Sequence, residues 1–168
     1  RVTITGTGFQ NDVTADFGAD VTETVGSRTA TDIVVDLAVA LAAPTGARTL
    51  TLTNLADGGR SQLESAIYVT PAPTLTDVTP NIGEQGTSID VTIRGAEFQN
   101  DGTVPAINFG ADITVNNIVV ASGGIITATL DLSAANPGQH ALIFTNEDGG
   151  SVTLNNAFNV VAGVANLD

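Results

Sequence analysis

The sequence predicts an all-β chain built as two tandem β-sandwich modules, and three observations predict it. First, the chain repeats itself. Val2-Thr3-Ile4-Thr5-Gly6-Thr7-Gly8-Phe9-Gln10-Asn11-Asp12 recurs as Val91-Thr92-Ile93-Arg94-Gly95-Ala96-Glu97-Phe98-Gln99-Asn100-Asp101, and Phe17-Gly18-Ala19-Asp20 recurs as Phe109-Gly110-Ala111-Asp112. Second, apolar residues within each copy fall at every second position, the period of a strand with one buried face. Third, Gly, Pro, Asn and Asp punctuate those runs, as tight turns require. A repeat of this kind sets the organisation before any local reading: module 1 covers residues 1–70, module 2 covers 71–161, and a tail follows at 162–168.

The elements justify themselves in chain order. Val2 and Ile4 alternate with Thr3 and Thr5, and their counterparts Ile89, Val91 and Ile93 alternate with Asp90 and Thr92. Gly6 and Gly95 follow, each just ahead of an aromatic. Gly6-Thr7-Gly8 is not a nucleotide loop: no third glycine or helix follows, and Glu97 replaces Gly8 in the second copy. Asp32 to Ala43 offers two periods, because Ile33, Leu37 and Leu41 also fit a helix. Strict alternation of Ile33, Val35, Leu37, Val39 and Leu41, shared by Ile126, Ala128, Leu130 and Leu132, decides for a strand. Pro44-Thr45-Gly46 and Pro137-Gly138 turn the chain into strands such as Leu50-Thr51-Leu52. Gly58-Gly59 and Gly149-Gly150 sit between two alternating runs, where a hairpin needs positive φ. Phe9, Phe17, Phe98 and Phe109 recur at matched positions and, with Phe144 and Phe158, read as core.

Modules of roughly 90 residues suit the ~100-residue immunoglobulin-type sandwich. The second copy adds more specific marks: Pro73-Thr74-Leu75, Thr79-Pro80-Asn81 with Gly83, Gly95-Ala96-Glu97-Phe98, Phe109-Gly110, Pro137-Gly138, Asn146 with Gly149-Gly150, and Phe158 with Val160. These resemble an IPT/TIG domain, an immunoglobulin-like sandwich, over all of the second copy and most of the first. The resemblance implies a non-catalytic module of the kind found in bacterial cell-surface proteins and adhesins, in receptors, in transcription factors and beside glycan-processing enzymes.

The two copies are framed differently. Module 2 opens with a strand near Leu75-Thr76-Asp77-Val78, whereas Arg1 aligns with Asp90, so module 1 lacks its opening strand within the chain. At the other end, Val164 and Leu167 keep the spacing of Leu75 and Val78. One expectation is a head-to-tail homopolymer: Val164, Ala165, Asn166, Leu167 and Asp168 of one subunit pair with Arg1, Val2, Thr3 and Ile4 of the next. The other is a stretch of a longer chain of immunoglobulin-like modules, in keeping with a sequence that does not begin with Met. Both place the chain at the cell surface or outside the cell, as part of a filament or adhesin stalk. The short junction Val69-Thr70-Pro71-Ala72-Pro73 predicts limited bending.

Composition removes several function classes. Eighteen Asp and Glu face five Arg, for a formal charge of −13, so nucleic acid and anionic membrane surfaces meet a field of the wrong sign. No apolar run reaches the ~18 residues of a spanning helix. The absence of Cys excludes thiolate chemistry. The single histidine, His140, matches Arg48 in the first copy, and a surface strand position accounts for both. No spacing singles out a carboxylate pair, so no enzyme is expected. Asp12, Asp20, Asp57, Asp101, Asp112 and Asp148 recur in turns and are weak candidate ligands for calcium as a cofactor; local turn hydrogen bonds explain the same residues. A surface module that binds glycan or protein through its loops, with calcium assistance, is the alternative function. The lack of Trp and the single Tyr68 argue against sugar stacking.

Overall fold

In the computed structural model, which describes residues 1–100 and 102–163, every regular element is a strand. The chain divides into two compact units, Arg1–Pro71 and Ala72–Asp168. Unit 1 holds β1 (Val2–Thr5), β2 (Val13–Asp16), β3 (Val21–Arg28), β4 (Asp32–Val39), β5 (Gly46–Asn54) and β6 (Arg60–Val69). They form two three-stranded sheets, ordered β1-β4-β3 and β2-β5-β6. Unit 2 holds β7 (Thr74–Thr79), β8 (Ile82–Glu84), β9 (Ser88–Ala96), β10 (Ala106–Asn108), β11 (Thr114–Ser122), β12 (Ile125–Asp131), β13 (Gly138–Thr145) and β14 (Ser151–Val161). Its sheets are four-stranded, ordered β11-β12-β9-β7 and β10-β13-β14-β8.

Alternation builds the core. In β12, Ile126, Ala128 and Leu130 are buried while Ile125 and Thr127 face out, and Val91 and Ile93 meet them from β9. Phe144 and Phe158 are wholly buried; Phe144 packs against Phe98 with centroids 4.7 Å apart and the rings tilted by 48°, and Phe109 meets Phe158 edge-on at 6.1 Å. In module 1 the same positions supply Val13, Phe17, Ile33, Val35, Leu50 and Leu52, with Phe9 half-buried against them. The ambiguous stretch from Asp32 is therefore strand β4, with Ile33 and Val35 inward. All strand pairs are antiparallel except β8 on β14, which is parallel. That three-residue strand has no alternating pattern long enough to announce it.

The glycine-rich turns differ from expectation in one detail. Only the first glycine of each pair takes positive φ, Gly58 at 72° and Gly149 at 89°. The second instead donates its N–H to the preceding aspartate: Gly59 to Asp57 Oδ1 at 2.8 Å and Gly150 to Asp148 Oδ1 at 2.9 Å.

A repeated clamp holds the turn after the first core strand of each module. Asn146 is the only polar residue buried among the described ones; its Nδ2 donates to the Glu97 carbonyl at 2.7 Å, and its Oδ1 accepts from Gln99 N at 3.0 Å. Asn54 does the same for Gly8 and Gln10 at 3.2 and 3.3 Å. The turn needs a left-handed residue, which Gly8 provides at φ 75° and Glu97 at φ 60°. A glutamate there carries a backbone strain that glycine lacks. Glu97→Gly should therefore stabilise module 2 by about 0.5–1 kcal/mol, read as a rise in the denaturant midpoint at unchanged slope.

Candidate assembly edge and the acidic turns

The largest difference between the copies lies along β1. In module 2 the equivalent strand β9 is interior, with β12 on one side and β7 on the other, paired from Thr74↔Ala96 to Thr79↔Thr92. In module 1, β1 pairs with β4, through Val2↔Val35 and Ile4↔Ile33, and is the outermost strand of its sheet among the described residues. The side chains register the difference. Val91 is 2% exposed and Ile93 0%, whereas Val2 and Ile4 are only partly buried. An outer strand presents backbone N–H and C=O groups that a further strand can satisfy. Arg1 fastens this strand to its neighbour: its guanidinium makes two 2.8 Å bonds to the Asp36 carboxylate on β4, which holds that carboxyl below the usual carboxylate range.

Of the predicted assembly residues, Arg1, Val2, Thr3 and Ile4 thus lie on or beside the outer strand. Val164 to Asp168 lie outside the described residues, as does Asp101.

The structure disperses the other acidic candidates. Asp57 binds Gln10 Nε2 at 2.6 Å in addition to Gly59 N. Asp148 receives Gln99 Nε2 as well as Gly150 N. Asp20 is exposed at φ 63°, and its carbonyl accepts Ala40 N at 2.8 Å. Asp12 is half-buried; among the described residues, its Oδ1 meets no donor. Among the described residues, no group of three His, Cys, Asp or Glu side chains converges to hold a metal ion.

His140 is not on the surface, contrary to the reading from sequence. Its side chain is 12% exposed, because the strand end is overlaid by two loops: Nδ1 lies 3.1 Å from the Phe109 carbonyl and Nε2 3.0 Å from the Asn136 carbonyl. Arg48 plays the matching part in module 1, donating from Nη2 to the Pro44 carbonyl at 2.6 Å. The position ties loop to strand in both copies. Beside it, Asp112 accepts Asn136 N at 2.7 Å and Asn136 Nδ2 at 2.8 Å. The Asn136 backbone N–H, then its amide and more distantly the His140 charge, hold the Asp112 carboxyl below its ordinary value. A depressed carboxyl contributes stability that is fully present above the ordinary value of about 3.9 and lost as pH falls through the lower one. Melting curves between about pH 5 and pH 2 should therefore fall less steeply for Asp112→Asn than for the parent.

One hollow of about 430 Å³ opens on the outer face of β9 and β12, lined by Asp90, Thr92, Asn117, Thr127 and Thr129. Val91 and Ala128 also line it, so the surface is mixed, and no aromatic side chain is in its lining.

Comparison with known proteins assigns the fold to a family. A model described as the IPT/TIG domain matches residues 73–160, and one described as quinohemoprotein amine dehydrogenase, alpha subunit domain III, matches residues 1–61. No curated protein matches. Among solved structures, the full extracellular region of plexin A4 aligns at TM-score 0.50 and 15% identity, covering 95% of this chain and 14% of that one. A tandem Ig pair of titin aligns at TM-score 0.31 and 13% identity, covering 84% and 74%. SGBP-B of the Bacteroides ovatus mixed-linkage glucan utilization locus, in complex with a mixed-linkage heptasaccharide, aligns at 0.31 and 15%, covering 93% and 44%. At 15% identity the likeness to the plexin A4 extracellular region concerns the fold alone. The IPT/TIG model runs from the start of β7 to the end of β14, more than half of all residues, and the chain therefore belongs to the IPT/TIG family.

Proposed function

We propose that this chain is a non-catalytic structural subunit of an extracellular or cell-surface filament or stalk, joined head-to-tail by addition of a strand to the outer edge of β1. The observation that carries this reading is the internal comparison: β9 is flanked by β7, whereas its repeat β1 is the outermost strand of its sheet among the described residues. The donor is the tail Val164–Asp168 of a second copy, whose Val164 and Leu167 repeat the spacing of Leu75 and Val78. A contact between one end of a subunit and the other end of the next does not close on itself, so it propagates into fibres. The charge of −13 keeps the lateral faces of such a fibre soluble and apart.

The test compares residues 1–168 with a chain ending at Val161, by light scattering and negative-stain microscopy. Fibres from the first and monomers from the second are expected. Monomers from both overturn the reading and return attention to the loops.

A further inference from the structure

The imidazole of His140 is gripped from two sides. Nδ1 lies 3.1 Å from the Phe109 carbonyl, on the loop after β10, and Nε2 lies 3.0 Å from the Asn136 carbonyl, on the loop between β12 and β13. A carbonyl oxygen only accepts, so the two bonds exist together only when both ring nitrogens carry protons, and that form is the cation. A neutral ring keeps one N–H and turns a lone pair on the second carbonyl.

The surroundings favour the cation. The side chain is 12% exposed, so little water is at hand to replace a lost bond. Asp112 Oδ1 stands 3.8 Å from Nδ1 and is the one carboxylate within ion-pair reach of the ring among the described residues. Its other oxygen is held by Asn136 N and Nδ2. Across the strand pair, β14 sets the apolar Phe158 opposite His140. Module 1 fills the matching position with Arg48, a permanent cation, which donates to the Pro44 carbonyl on its own loop.

We propose that His140 is a pH-sensitive bolt: doubly protonated, it pins the 109–113 and 132–137 loops to β13, and loss of one proton releases one of them. The second of these loops also seats the turn after β8, through Gln85 Nε2 donating to the Ala135 carbonyl and Gly86 N to the Leu132 carbonyl, both at 2.9 Å. Release therefore loosens this end of module 2 and leaves the sandwich core in place. The device stands apart from strand addition at β1.

The fold selects the charged ring, so its contribution is fully present below the ordinary histidine value of about 6.5 and is lost as the folded ring deprotonates at higher pH. Few other groups titrate nearby. The chain has no Cys or Lys, carboxyls titrate below about pH 5 and tyrosine near about 10, and the α-amino group on Arg1 belongs to the other unit.

In calorimetry of the full 168-residue chain, the module 2 transition should fall by about 5 °C between about pH 6 and pH 8.5, the worth of one charged hydrogen bond in a module of this size. His140→Arg should hold that transition level over the same range. In the parent chain, the ring nitrogen resonances at about pH 6 should both show attached protons, a readout that needs no variant to fold. A parent transition that stays level overturns the proposal, as does an equal fall in His140→Arg or a neutral ring at about pH 6.

Discussion

Gly95→Val is expected to unfold module 2 at temperatures where module 1 is still folded. The Cβ it introduces would overlap the Thr74 carbonyl oxygen and stand 2.6 Å from Phe98 Cζ. The first of these is backbone of β7, held by the pairing of Thr74 with Ala96, and cannot swing aside as a side chain can. Overfilling a packed site costs about 1–3 kcal/mol, and more where the obstacle is main chain. A loss above about 3 kcal/mol corresponds to a fall of roughly 15 °C in the midpoint of a module this size. The repeat supplies a control. The nearest atoms to a Cβ on Gly6 are those of the Phe9 ring, again at 2.6 Å, and that ring is half-buried, so it can give way by tilting outward. Gly6→Val should therefore cost less than half as much. Calorimetry resolving the two transitions checks both; equal losses would show that the Thr74 carbonyl is not the obstacle.

Phe158→Ala should have the next largest effect. The ring is wholly buried, lies edge-on to Phe109 at 75°, and forms the floor under Gly83. Truncating a buried phenylalanine costs about 3–5 kcal/mol, and here the cavity would also undermine the short β8. Ile67→Ala in module 1, at a site that is only half-buried, should cost under about 2 kcal/mol. Denaturant titration of both variants tests the contrast.

The fold was legible where the chain obeys a period. Val91, Ile93, Ile126, Ala128 and Leu130 alternate so regularly that their strands could be drawn from the sequence. The repeat then carried the assignment to the less regular first copy. The candidate edge was legible for the same reason, as a difference in alignment. What could not be read depends on approach across space. Asn146 looks like any turn asparagine until its amide is seen bridging Glu97 and Gln99. The signal that would have found it was present: Asn54 with Gln10 and Asn146 with Gln99 recur together, as do Asp57 and Asp148. His140 looked superficial because its burial is made by two distant carbonyls. β8 was invisible because three residues carry no period, and only the fit of Gly83 over Leu132 and Phe158 explains its place.

The parallel pairing of β8 with β14 also bears on how the chain responds to tension. The segment entering module 2 reaches β8 early, and the chain leaves along β14. Pulling the ends apart therefore slides these two strands past one another along their common axis, loading Asn159 N to the Asn81 carbonyl and Gln85 N to the Val161 carbonyl together rather than one after another. A joint sheared in this way must break its bonds at once, whereas an antiparallel hairpin opens bond by bond from its free end. Module 2 thus carries a mechanical lock that module 1 lacks among the described residues. In a stretched chain this joint should be what sets the force at which module 2 gives way.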